Sequence, residues 1–387
     1  MFNNENINFE LLRNRAYNLR WATVSPGTIP LTAADPDFPS APQISQAIQK
    51  YASDRYYCYG PPEGLPEFRE SIARSYNERR NVPIESKLCF PVDSAAYGIY
   101  LTCKAFLTPA DTAIIFDPVD FLFRYSVEAV NAKAVSFQIP PGTSVVDFTK
   151  LEGLITPRTK LICLCNPLNP TGKVFSRDEL MQLGEIAVKH NIMILSDEIW
   201  SDIVFPPFQY TSVASLSEEI RQKTILITGF SKSYGLAGLR IGAVMAPNDQ
   251  IFRQLFEASL HQSTIHGVSV LSQLAATTAL NECGVWLDDF VKHLWYMRDI
   301  VVEELNTIRG FKCIAPEGCY VAFADISDTG YSSLEMHELL LDKAKVSVVP
   351  GLEQWFGKGA EGYIRLSFAT SEDVLREAMS RIKTALS

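Results

Sequence analysis

The chain has 387 residues, room for two domains, and 47% of them are apolar, enough for a sizeable core. Its formal net charge is −9, which argues against a nucleic-acid partner, since that would call for a basic stripe. No stretch approaches the roughly 20 apolar residues that span a bilayer, and the opening MFNNENINFE lacks a secretory signal's basic-then-apolar run, so a cytoplasmic enzyme with no membrane contact is expected.

Eight scattered cysteines form no C-x-x-C pair and read as reduced thiols, and five histidines without zinc-ligand spacing give no reason to expect a metal. Residues 1–45 read as loop, with Ala33-Ala34-Asp35-Pro36-Asp37-Phe38-Pro39 dominated by turn chemistry because two prolines block a helix. Tyr59-Gly60-Pro61-Pro62-Glu63-Gly64 is a rigid turn. Leu65, Phe68, Ile72 and Tyr76 then recur at helical spacing. Ser94-Ala95-Ala96 opens a second helix running to about Leu107. Its free N–H groups and positive dipole end suit a phosphate.

Ala113–Phe116 reads as a buried strand, and Lys160–Cys165 as another that delivers Asn166 and Asn169 to its C-terminal end, where open α/β sheets bind ligands. Ser176 with Glu179 forms a capping box for a helix to His190, with Asn191 as its left-handed stop. Ile192–Leu195 is the next strand, ended by Asp197. Residues 249–278 are helical, broken at His266-Gly267. A long amphipathic helix then carries Phe290, Leu294, Met297, Val301, Leu305 and Ile308. Strand-like pieces at 320–324, 346–349 and 362–368 precede a final helix through Leu375, Met379, Ile382 and Leu386.

The densest chemistry lies in Thr228–Gly242, TGFSKSYGLAGLRIG, behind the apolar run Thr224–Ile227. One lysine behind a strand, a hydroxyl beside it and a cation eight residues on suit a cofactor that is both an aldehyde and a phosphate ester. Lys232 would form a Schiff base with the aldehyde, while Ser231 and Arg240 would hold the phosphate. Gly235, Gly238 and Gly242 do not spell the G-x-G-x-x-G of a dinucleotide site.

This stretch resembles the lysine signature of the fold-type I pyridoxal-phosphate (PLP) enzymes of the class I/II aminotransferase group. Asn166-Pro167-Leu168-Asn169-Pro170-Thr171-Gly172 and Ser196-Asp197-Glu198-Ile199 resemble that family's two other marks, in the family's order. The resemblance implies an α/β fold: a large domain, 46–288, with a mostly parallel seven-stranded-type sheet, and a smaller α/β domain from 1–45 and 289–387. It implies PLP, an α-amino-acid substrate and a homodimer with shared sites.

The resemblance also assigns roles. Asp197 would keep the pyridine nitrogen protonated, Asn169 would donate to the phenolate oxygen, and Arg365 would grip the substrate α-carboxylate. Ser94, Ala95 and Ala96 would join the phosphate seat, and Tyr59 would reach a neighbour's phosphate. The segment with Ala34 resembles the C–S lyase (cystathionine β-lyase-like) branch, where it lines the carboxylate.

Two positions depart from the family pattern. Asp120 stands where an aromatic ring usually stacks on the cofactor; it would contact cofactor or substrate, and Phe121 or Phe123 would take over the stack. Trp200 stands where a tyrosine usually donates to the phenolate, and indole offers a donor only. These departures, with the run Asp197–Val204, lean the expected reaction towards β/γ-elimination. The alternative is an aminotransferase passing the α-amino group to a keto acid.

Overall fold

The computed structural model describes residues 2–387. A seven-stranded sheet forms its centre: β1 (Cys89–Val92), β2 (Thr112–Asp117), β3 (Lys133–Gln138), β4 (Thr159–Cys165), β5 (Met193–Asp197), β6 (Thr224–Gly229) and β7 (Gly242–Met245). Their spatial order is β1-β7-β6-β5-β4-β2-β3. Strands β3, β2, β4, β5 and β6 pair in parallel, and β7 runs against both its neighbours. The middle strands are apolar almost throughout because both faces are covered by helices.

Parallel strands bring their C-terminal ends to one edge. Asp120 follows β2, Asn169 follows β4, Asp197 ends β5, and Lys232 follows β6. Strand β1 also points that way, since β7 reverses direction on each side, and it feeds Ser94 into the helix at Ala95. These residues are drawn from 138 positions of chain, Ser94 to Lys232, and need no long-range device to meet beyond strand pairing itself.

The helices follow their local signals. Helix α1 (Pro66–Arg80) starts on proline and stops at left-handed Asn81. Helix α2 (Ala95–Phe106) is capped by Ser94. Helix α3 (Arg177–Lys189) carries the capping box of Ser176 and Glu179, and Asn191 takes φ +55°. Helix α4 (Gly284–Asn306) is the long amphipathic one, and α5 (Glu372–Leu386) ends the chain. Residues 249–278 form two helices, Asp249–Ser259 and Val270–Glu282, with positive φ at His266 and Gly267 between them.

A second sheet of four antiparallel strands comes from the C-terminal part: β8 (Lys312–Cys313), β9 (Val321–Asp325), β10 (Val349–Pro350) and β11 (Tyr363–Ser367), in order β10-β11-β9-β8. The strand expected at 346–349 divides at Val348. Its first half pairs with Ile29–Pro30 and its second with β11. The Ser367 amide also donates to Leu31 (2.9 Å), so the N-terminal segment is knitted into the C-terminal part. That segment is less loop-like than its composition suggests: Phe9–Asn14 is helical, capped by Asn8, and Pro42 opens a helix to Ser53. No helix among the described residues is long and apolar enough to cross a membrane.

Candidate active site

One cavity of about 310 Å³ lies at the C-terminal edge of the parallel strands, over the N-terminus of α2. Lys232, Asp197, Asn169, Trp200, Asp120 and Arg365 all line it. So do Ser94, Ala95, Ala96, Ser231, Arg240 and Ala34. Tyr59 does not: it is 89% exposed, and its ring lies 5.3 Å from that of His266.

Lys232 is half-buried, and its Nζ donates to the Ala34 carbonyl (2.6 Å) with the Trp200 ring 5.3 Å away. Burial lowers its pKa from the ordinary lysine value, partly offset by Asp35 and Asp120. An amine that sheds its proton more readily is more often in the free form that can attack an aldehyde or accept a proton.

Asp197 is 6% exposed. Burial pushes its carboxyl up to about 7; the Ile199 amide (3.1 Å) works against that shift, and the Asp120 and Glu198 charges reinforce it.

Arg365 is 7% exposed and its guanidinium rests 5.0 Å from the Phe356 ring centroid. Nη1 donates to Asn169 Oδ1 (3.1 Å) and Nη2 to the Thr32 carbonyl (3.1 Å). Nε has no protein partner among the described residues. Three of five guanidinium N–H groups thus stay available to a carboxylate. Asn169 in turn donates from Nδ2 to Asp120 Oδ2 (2.8 Å), leaving one amide hydrogen.

The α2 terminus has the chemistry of an anion seat. Ser94 Oγ accepts from the Tyr97 amide (3.1 Å), so the serine caps the helix while the amides of Ala95 and Ala96 remain for a ligand. Gly242 packs beneath: a Cβ there would lie 2.9 Å from the Ala95 nitrogen and 2.8 Å from the Thr228 carbonyl oxygen. Arg240 is exposed, in the left-handed region at φ +50°, with only a 3.5 Å contact to the Ala237 carbonyl.

Several placements were not legible in the sequence. Phe123 lines the cavity, whereas Phe121 turns away to pack on Trp355 (5.5 Å). Tyr320 donates from its hydroxyl to the same Ala34 carbonyl that Lys232 uses (3.0 Å), and its ring meets Trp200 at 4.7 Å. The segment around Ala34 was expected to face the substrate carboxylate. Ala34 lines the same cavity as Arg365, while the Ala34 carbonyl accepts from Lys232 and the Thr32 carbonyl from Arg365. Nothing in local spacing flags Tyr320, which lies 286 positions from Ala34.

The chain matches the family described as aminotransferase class I and II over residues 26–382. It is 32% identical to an aspartate aminotransferase of Pyrococcus horikoshii over 361 residues, 92% of this chain and 90% of that protein. It is 28% identical to cystathionine beta-lyase PatB of Bacillus subtilis, covering 93% and 92% of the two chains. It superposes on cystalysin from Treponema denticola, a structure containing pyridoxal 5′-phosphate, with a TM-score of 0.91 and 25% identity, covering 100% and 98%. Of eight of its curated relatives, seven are named aminotransferases and one a lyase. The donor set fits PLP: an amine for the aldehyde, a buried acid for the ring nitrogen, and amides, a hydroxyl and a cation for the phosphate.

Proposed function

The chain belongs to the class I and II aminotransferase family and is a PLP-dependent enzyme, and from that premise we propose that it transfers the α-amino group of an amino acid to a keto acid. The observation that carries the proposal is the meeting of Lys232, Asp197, Arg365 and the α2 N-terminus in one cavity. The naming of most relatives as aminotransferases favours transfer over elimination.

PLP supplies an aldehyde for the amino group and an electron-poor ring that accepts the electron pair left at Cα. Asp197 would hold the proton on the ring nitrogen, and Asn169 and Trp200 would donate to the phenolate oxygen. Ala95, Ala96, Ser231 and Arg240 would hold the phosphate. Arg365 binds the substrate α-carboxylate and so fixes how the Cα–H bond points. Lys232 takes that proton as general base, helped by its lowered pKa. Buried Trp200 and Tyr320 keep water from the amine on one side. Asp120, placed beside Asn169 and Arg365, contacts the substrate or cofactor face.

We further propose a division into 46–288 and 1–45 with 289–387, supported by the pairing of Ile29–Pro30 with Val346–Ser347. Tyr59, exposed on one chain, would complete a partner's phosphate seat in a homodimer.

β/γ-Elimination is the second reading, favoured by Trp200 where a phenol usually stands and by the likeness to PatB. The two separate in one assay. With amino-acid donors and 2-oxoglutarate, transfer predicts a new keto acid and glutamate in equal amounts, and no turnover without the acceptor. Ammonia and pyruvate released from cystathionine or an S-substituted cysteine without acceptor would replace transfer with elimination.

A further inference from the structure

Asp117 ends β2 three residues before Asp120, and it is buried without a salt-bridge partner among the described residues. Its carboxylate is instead ringed by neutral donors. Oδ1 accepts from the Gly359 amide (2.9 Å), and Oδ2 accepts from the Lys358 amide (3.2 Å) and Gln138 Nε2 (2.9 Å). Gly357 takes φ +96°, and a Cβ there would lie 2.4 Å from Asp117 Oδ1, so the 357–359 turn closes on the carboxylate only with glycine. One residue pair further in, the Val119 amide donates to the Phe356 carbonyl (2.9 Å).

These contacts close a circuit. Phe356 is the ring under the Arg365 guanidinium (5.0 Å) and meets Phe323, which pairs with Arg365 across the β9–β11 ladder. Arg365 donates to Asn169, Asn169 to Asp120, and the Asp120 amide donates back to the Asn169 carbonyl (3.1 Å). From Asp120 the chain returns through three residues to Asp117. The circuit joins the end of β2 to the 353–360 segment, and Arg365 lies on it.

We propose that Asp117 is a positioning residue: by clamping the 357–359 turn it seats Phe356 under Arg365, and so sets how well the enzyme holds the substrate α-carboxylate. This rests on the reading of Arg365 as the carboxylate site. Asp117→Asn tests it sharply. Either orientation of the new amide turns an N–H towards a backbone N–H, so the clamp opens while the side-chain shape is kept. Gly357→Ala opens it from the opposite side.

The experiment titrates PLP-loaded wild-type, Asp117→Asn and Gly357→Ala enzyme and follows the cofactor's visible absorbance. The probes are matched pairs with and without the α-carboxylate: L-phenylalanine and phenethylamine, and L-methionine and 3-(methylthio)propylamine. The variants are expected to raise half-saturation by about tenfold for the amino acids and to leave the matched amines unchanged. PLP affinity, titrated on the apo-protein, should stay within twofold, and trypsin should cut after exposed Lys358 faster. Equal weakening for amino acids and amines, or amino-acid binding like wild type, would overturn the clamp. A wild type that does not distinguish acids from amines would overturn the Arg365 reading itself, and the clamp with it.

Discussion

Asp197 shows how much a single buried acid is altered by its surroundings. Its carboxyl titrates near 7 in the protein alone, so between the ordinary carboxylate range and about pH 7 the folded state keeps a proton that the unfolded chain has lost. Folding stability of the apo-protein therefore falls as pH rises through that window, by about 1.4 kcal/mol per pH unit at most. Asp197→Asn removes this dependence. Denaturant melts of both apo-proteins at pH 4 to 8 should show wild type losing ground to the variant up to about pH 7, then running parallel. A constant difference across the range would mean that the acid is ionised throughout. At this scale the sequence was most readable where a residue sits at or just past a strand end, as Asp197 and Lys232 do, since strand order alone brings them to one cavity. It was least readable where a residue acts through another: the tie from Asp120 to Arg365 by way of Asn169, and the hydroxyl of Tyr320 on Ala34, depend on rotamers and loop closures that no local spacing encodes.

Elements carried most of the legible signal. Strands β2, β4, β5 and β6 are largely apolar runs ended by polar or turn residues, whereas β3, KAVSFQ, is partly exposed and carries no such signal; the Ser176–Glu179 capping box appears as read. The run at 346–349 looked like one strand because three of its four residues are valine. In three dimensions it changes partner at Val348, a choice made by the N-terminal segment and β11 rather than by propensity. The closest element contact at the site is β7 against the start of α2. Gly242→Ala places a methyl 2.8–3.0 Å from the Thr228 oxygen, the Ala95 nitrogen and the Ser94 carbonyl carbon. Overpacking of this kind costs about 1–3 kcal/mol, and here it pushes the anion-binding amides off their line. PLP dissociation from Gly242→Ala, measured by absorbance titration, should be at least about tenfold weaker than from wild type, with the far-ultraviolet circular dichroism unchanged. Equal affinity would show that the α2 amides do not carry the phosphate.

For the whole molecule, the exposed tyrosines near residue 59 bear on assembly. Tyr56, Tyr57 and Tyr59 are 75%, 65% and 89% exposed on a single chain. In the proposed shared-site dimer, Lys232 and Tyr59 of one site come from different chains. Mixing Lys232→Ala with Tyr59→Ala under subunit exchange should then restore up to about a quarter of wild-type activity, because each hybrid holds one intact site. No recovery, in a mixture shown by mass to contain hybrids, would place both residues' work in the same chain. The order in which the chain supplies its site has a consequence of its own. The amine, the ring acid and the anion-binding helix end are all present by residue 242, whereas Arg365 comes 22 residues from the C-terminus on the other sheet. The proposed cofactor seat and the proposed grip on the α-carboxylate thus come from separate stretches of chain, so a change in the tail can loosen or tighten that grip while the seat stays as it is.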